Sequence, residues 1–131
     1  MNHCIRGTVV HGNHLGRTLG FPTANIQSGK DQPYTIPNGV YLVNVRLKER
    51  KFFGLCNIGK RPTIGGTDLV TEVHILEFCE DIYGKEISIK VIRAIRKEKK
   101  FQNLDMLVNQ INLDKEKAMR MLSALNKDQT G

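Results

Sequence analysis

The apolar residues of this chain keep one rhythm for about a hundred positions and then change it. Up to residue 93 they come in short β-type runs separated by glycine, proline or charged turns. From Asn103 onward Leu104, Leu107, Val108 and Ile111 recur at helical spacing. Period-two runs form half-buried strands, whereas an i, i+3, i+4, i+7 pattern forms a helix. A chain with this order is a set of strands closed by a helical segment.

The strands follow from local composition. Residues 4–10 carry Val9-Val10 and predict a first strand, and 23–26 predict a short second one. Pro37-Asn38-Gly39 is a turn signal that launches Val40 to Leu47. Lys48-Glu49-Arg50 is a charged hairpin tip, and Lys51 to Ile58 returns antiparallel. Residues 59–67, with three glycines, Pro62, Lys60 and Arg61, predict a loop. In 71–78, Val73 and Ile75 take one face while Glu72 and His74 take the other. Tyr83-Gly84-Lys85 turns into a last strand over 87–93. Asn103 is suited to cap the helix, and Asp114 predicts the start of a second one carrying Ala118, Met121, Leu122 and Leu125.

Many short, hairpin-connected strands suggest a small closed barrel. The expected fold class is mainly β, a six-stranded antiparallel barrel over about 4–96 with C-terminal helices over about 103–126. The 131 residues suit one domain. A narrow barrel is filled by its own side chains. A ligand must then bind at the rim, among loops such as 11–22 and 59–67, or under the C-terminal helix.

Composition excludes several classes. Cys4, Cys56 and Cys79 are odd in number and include no Cys-x-x-Cys pair. That argues against a disulfide framework or a zinc site, and for reduced core thiols in the cytoplasm. No apolar run reaches the ~18 residues of a membrane span, so no membrane partner is expected. The net charge of +7 attracts anions, with nucleotides among them. The one basic cluster is Arg93, Arg96, Lys97, Lys99 and Lys100, for which a solvated strand end is an equal explanation. A nucleic-acid-binding barrel interleaves exposed aromatics with its cations. Phe52, Phe53, Tyr41 and Phe78 lie mostly in apolar runs, where core positions explain them better, so no nucleic-acid partner is expected.

The loop after the first strand carries the chemistry. Residues 7–26 hold Gly12, Gly16 and Gly20 with Arg17, Pro22 and then Thr23-Ala24-Asn25. Glycine lets a backbone approach a phosphate, and successive N–H groups form an anion nest. Arginine forks onto phosphate oxygens. The Thr23 hydroxyl and Asn25 amide oxygen are hard donors of the kind Mg²⁺ prefers, and alternation sets them on one side of the chain. The plainer reading of the loop is an ordinary turn-rich connection.

Seven ordered blocks decide between these readings. Gly7-x-Val9-x-His11-Gly12 with Gly16-Arg17-x-Leu19-Gly20-Phe21-Pro22-Thr23-Ala24-Asn25 resembles the signature of riboflavin kinases. Pro37-x-Gly39-Val40-Tyr41, Asn57-Ile58-Gly59-x-Arg61-Pro62-Thr63, Glu72-x-His74-Ile75-Leu76 and Asp81-Ile82-Tyr83-Gly84-Lys85 are similar to the family in order and spacing. So are Ile95-Arg96-x-Glu98-x-x-Phe101 and the helix around Leu107 to Ala118. The resemblance covers nearly the whole chain and implies a six-stranded Greek-key barrel with a C-terminal helical segment.

It also implies function. The expected reaction transfers the ATP γ-phosphoryl group to the riboflavin 5′-hydroxyl, giving FMN and ADP. A non-catalytic flavin- or nucleic-acid-binding barrel is the alternative, and intact Thr23, Asn25 and Glu72 argue against it. By resemblance, Gly12, Gly16, Arg17, Leu19, Gly20, Pro22 and Thr23 hold ATP phosphates, and Thr23 and Asn25 hold Mg²⁺ or another divalent cation. Glu72 is the general base, against the ordinary reading of an exposed strand carboxylate. Flavin contacts fall on Arg96, Glu98, Phe101, Leu104 and Leu107, although leucines at helical spacing are more often core. In bacteria the module usually follows an FMN adenylyltransferase domain. No such domain is expected within these 131 residues: His11-Gly12-Asn13-His14 has its glycine in the wrong place for a nucleotidyltransferase motif, and no βαβ pattern surrounds it. A stand-alone kinase and an excised module are both compatible with this chain.

Overall fold

The computed structural model describes residues 4–10, 23–28, 36–64, 66–78 and 80–130. Six strands precede one helix: β1 Cys4–Val10, β2 Ala24–Ser28, β3 Gly39–Leu47, β4 Arg50–Thr63, β5 Gly66–Ile75, β6 Glu86–Lys97 and α1 Leu104–Thr130. The strands close into an antiparallel barrel in the order β1-β2-β5-β4-β3-β6. β3, β4 and β5 form a meander and β6 returns beside β3, the spatial order of a Greek key. Closure removes every free sheet edge from the ring.

Alternation decides what fills the ring. Ile5 and Val9, Ile26, Val43 and Val45, Cys56 and Ile58, Val73 and Ile75, and Ile87 and Ile89 are all buried and form one core cluster. Their odd-numbered and even-numbered neighbours face outward, because successive side chains leave a strand on opposite sides. Tyr41 belongs to the same core and donates its hydroxyl to the Pro37 carbonyl. Phe52 and Phe78 pack against the core edge-to-face, with ring centroids 4.8 Å apart. Phe53 does not: it is 41% exposed on the outer face, because it is one residue out of phase with Phe52. Cys4 is exposed as well, so only Cys56 of the described thiols is a core thiol. Cys79 lies outside the described residues.

Two expected features are replaced. Within 59–67, residues 59–63 and 66–67 belong to a ladder, with β4 and β5 paired from Gly59↔Val70 to Thr63↔Gly66. The β3 pairing of β4 stops at Gly39↔Ile58, so among the described residues the end of β4 bonds on one side only. Pro62 is tolerated there because its missing N–H has no ladder partner to lose. The second replacement is in the helix. α1 runs unbroken through Asp114, whose carboxylate accepts from Gln110 Nε2 at 3.0 Å, one turn back, in place of starting a new helix. Asn103 does cap α1: its Oδ1 accepts from Met106 N at 2.9 Å.

The described chain falls into two compact units, one ending at Glu98 and holding the barrel, the other beginning at Lys99 and holding α1. No helix among the described residues is long and apolar enough to cross a membrane. The turn of the Asp81–Lys85 block is tied to β1. Gly84 N donates to Val9 O at 2.9 Å, and Val9 N donates to Lys85 O at 2.9 Å. This fixes the end of the strand from which residues 11–22 depart.

Candidate functional site

One residue from each strand lines up around the outside of the barrel. Val10 pairs with Asn25, Asn25 with Glu72, Glu72 with Asn57, Asn57 with Val40, and Val40 with Arg96. Directly opposed residues in antiparallel strands carry Cβ atoms roughly 4.5–5.5 Å apart on the same face. The polar members Asn25, Glu72 and Asn57 are therefore immediate neighbours. Their strand neighbours Ile26, Val73, Cys56 and Ile58 are buried in the ring, which sets this trio on the outer face.

Thr23 stands just before β2 and is half-buried, as is Asn25. Two residues apart on an extended chain, they share a side. The two oxygen donors and the Glu72 carboxylate thus converge on one patch. Gly12, Gly16, Arg17, Leu19, Gly20 and Pro22 lie outside the described residues, and the side chains of Lys60 and Arg61 do as well. His74, half-buried on the same outer face, is opposite Leu55 in the β4–β5 ladder.

The charge of Glu72 is felt through the sheet. Burial pushes the Cys56 thiol up to about 12, and the neighbouring Glu72 carboxylate adds to the shift. A buried thiolate would lie beside another negative charge in a poorly solvated interior.

The donor set suits a hard cation that arrives with a nucleotide. Among the described residues no group of three His, Cys, Asp or Glu is placed to hold a metal. Thr23 and Asn25 supply neutral oxygens only. Mg²⁺ keeps waters and takes phosphate oxygens readily, so such a pair fits a metal bound together with ATP.

The flavin candidates divide between the two units. Arg96, half-buried, is the β6 member of the outer belt, and its Nη1 donates to Lys97 O at 3.2 Å. Glu98 is exposed, and its Oε1 lies 2.8 Å from the point a Cβ on Gly59 would occupy. A side chain at residue 59 would push the Glu98 carboxylate out of that position. In the second unit Phe101 is half-buried with the Lys99 ammonium 6.0 Å from its ring centroid. Leu104 is 52% exposed and Leu107 is half-buried, so Leu104 is not a core leucine. Arg93, Lys97, Lys99 and Lys100 are exposed, which fits a solvated strand end.

Asn57 received no role from sequence reasoning. Its alternation with the apolar Cys56 and Ile58 was the available signal: an amide held outward in the middle of a strand.

Comparison with known proteins bears on this arrangement. The flavokinase family model, described as riboflavin kinase, matches residues 1–122. A bifunctional riboflavin kinase/FMN adenylyltransferase from Haemophilus influenzae is 49% identical over 115 residues, 87% of this chain and 37% of that protein. The RNA-binding riboflavin kinase RibR of Bacillus subtilis is 40% identical over 111 residues, 84% of this chain and 47% of that protein. The chain thus spans less than half the length of these curated relatives. The crystal structure of riboflavin kinase from Trypanosoma brucei superposes with a TM-score of 0.67 at 33% identity, covering 93% of this chain and 80% of that one. A barrel of this topology, an outer belt built from the Thr-Ala-Asn and Glu-x-His blocks, and a match along almost the entire sequence agree: the chain belongs to the riboflavin kinase family.

Proposed function

We propose that the chain phosphorylates riboflavin, transferring the γ-phosphoryl group of ATP to the ribityl 5′-hydroxyl to release FMN and ADP. The observation that carries this reading is the register pairing of Asn25 with Glu72. It sets an oxygen donor suited to Mg-ATP next to a carboxylate suited to activating an alcohol. Phosphoryl transfer asks mainly for positioned phosphates, neutralised charge and an oriented nucleophile.

Glu72 accepts the 5′-hydroxyl proton as the hydroxyl oxygen bonds to the γ-phosphorus and the β–γ bridging oxygen leaves with ADP. Thr23 and Asn25 hold the divalent cation, which, when bound, offsets charge on the phosphate oxygens. Gly12, Gly16, Arg17, Leu19, Gly20 and Pro22 cradle the phosphates. Arg96, Glu98, Phe101, Leu104 and Leu107 are the flavin contacts. An FMN adenylyltransferase, upstream or separate, would consume the product, and the cytoplasm supplies both substrates.

The test is to incubate the protein with riboflavin, ATP and Mg²⁺ and separate the flavins by chromatography. FMN should form, and Glu72→Gln should lower turnover at least about a hundredfold, the range of a lost general base. No FMN, or undiminished turnover in Glu72→Gln, sinks the proposal. The absorbance ratio at 260 and 280 nm of the salt-washed protein checks the expectation of no nucleic-acid partner, which the RNA-binding relative makes worth measuring.

A further inference from the structure

Glu72 has a neighbour on each side. Asn25 flanks it on β2 and Asn57 on β4, both as direct register partners. At this point β4 is no edge strand, since Asn57 is paired with Val40 of β3 on its other side. Asparagine is disfavoured inside strands because its amide competes with the ladder and gains nothing from packing on a pleat. Here it is the exposed residue between buried Cys56 and Ile58. On the same row its β3 partner, Val40, is apolar and buried, so the polar neighbour of Asn57 is Glu72.

Chemistry assigns the two asparagines different work. An ionised carboxylate only accepts hydrogen bonds, and an amide both donates and accepts. If the oxygen of Asn25 faces a cation, Asn57 on the other flank is free to turn its amide donor toward Glu72. A lysine or arginine there would neutralise the carboxylate, and an aspartate would repel it. Asparagine orients it with no change in charge. That the Cys56 thiol, one residue from Asn57, feels the Glu72 charge places that charge close to β4 at this point.

Resting on the kinase reading above, we propose that Asn57 is a positioning residue: its side-chain amide donates to one oxygen of Glu72 and leaves the other aimed at the ribityl hydroxyl. The hydroxyl proton still passes to Glu72, and Asn57 takes no part in the transfer. The predicted effect lies in kcat, because orientation of the base is used in the transition state and not in holding either substrate.

The experiment measures steady-state FMN formation by the full chain, with thermal melts as a folding control. Asn57→Ala and Asn57→Asp should lower kcat by about ten- to a hundredfold, with KM for riboflavin and for Mg-ATP within about threefold. Asn57→Ser, which keeps a short donor, should recover part of kcat where Asn57→Asp does not. In a Glu72→Gln background, Asn57→Ala should cost less than about twofold, because a residue acting through Glu72 has nothing left to orient. An unchanged kcat, a loss confined to KM, failure of Asn57→Ser to exceed Asn57→Ala, or equal loss in both backgrounds overturns the proposal. If Glu72→Gln turns over normally, the base assignment falls and this inference with it. If Glu72→Gln is inactive while Asn57→Ala is not impaired, this inference falls alone.

Discussion

Asn25 and Glu72 face each other across the β2–β5 ladder, on the outside of the barrel. Replacing Asn25 by Asp sets two carboxylates directly opposite one another, an arrangement that costs roughly 0.2–1 kcal/mol in a sheet. Without divalent cations Asn25→Asp should melt below wild type. Millimolar Mg²⁺ should raise its midpoint more than that of the wild type, since a cation bridges the new pair. Equal Mg²⁺ shifts in the two proteins, measured by scanning calorimetry, would count against a metal position at Asn25.

Two glycines test the strand packing that holds the belt. A Cβ on Gly39 would meet the Arg96 carbonyl oxygen at 2.7 Å, which is backbone and cannot move alone. A Cβ on Gly59 would meet only the end of the Glu98 side chain, at 2.8 Å. Overpacking typically costs about 1–3 kcal/mol. Gly39→Ala should fall in that range by urea denaturation. Gly59→Ala should cost less than about 1 kcal/mol, because Glu98 can swing away. Equal costs would mean that Glu98 is held more tightly than an exposed side chain should be.

Thr71 is an unexplained polar residue in the ring. It is 2% exposed, faces Ile26 and Ile58 across its two ladders, and its Oγ1 meets no hydrogen-bond partner among the described residues. A buried unsatisfied hydroxyl costs about 1–3 kcal/mol, and an apolar group of the same shape removes that cost. Thr71→Val should therefore stabilise the protein by about 1 kcal/mol in urea denaturation. Destabilisation would show that the hydroxyl has a partner in solution.

Cys56 makes stability depend on alkaline pH. Its native thiol is pushed from an ordinary 9.0 up to about 12, first by burial and then by Glu72. The native state therefore keeps this proton to higher pH than the unfolded chain does. The contribution is intact below pH about 9 and is lost as pH rises toward about 12, at up to roughly 1.4 kcal/mol per pH unit. Tyr41, also raised by burial and by Cys56, adds to the loss at the upper end. Urea unfolding at pH 8, 9 and 10 should show a steeper decline in wild type than in Cys56→Ala. At pH 8 a disulfide reagent should label Cys4 quickly and Cys56 only on unfolding. Parallel declines, or rapid labelling of Cys56, would contradict the burial.

Much of this was legible from local pattern. The β-type runs around Val43, Val73 and Ile89 named the ring's interior, and the change at Asn103 named the helix with its cap. The errors have physical causes. Glycine and proline made 59–67 look like a loop, because composition does not reveal that β4 has lost its β3 partner there. Phe53 was grouped with the core by its apolar neighbours, although alternation with Phe52 turns it outward. Asp114 has the right chemistry for a cap, but Gln110 one turn earlier engages it. At the site, Thr23, Asn25 and Glu72 were named from motifs, yet nothing local says that Asn25 and Glu72 share a ladder rung. That depends on which strands meet, and so does the place of Asn57 on the same row.

The closed ring makes the site a matter of parity. Glu72 faces outward only because β5 keeps its count against β2 and β4 together. A single residue inserted between Thr71 and Glu72 would turn the carboxylate's position inward and set an apolar residue in its place on the outer face. Lengthening the two-residue turn at Lys48-Glu49 leaves every rung of the belt in place. This chain should thus accept grafted loops or tags at one hairpin while refusing even one extra residue a strand away.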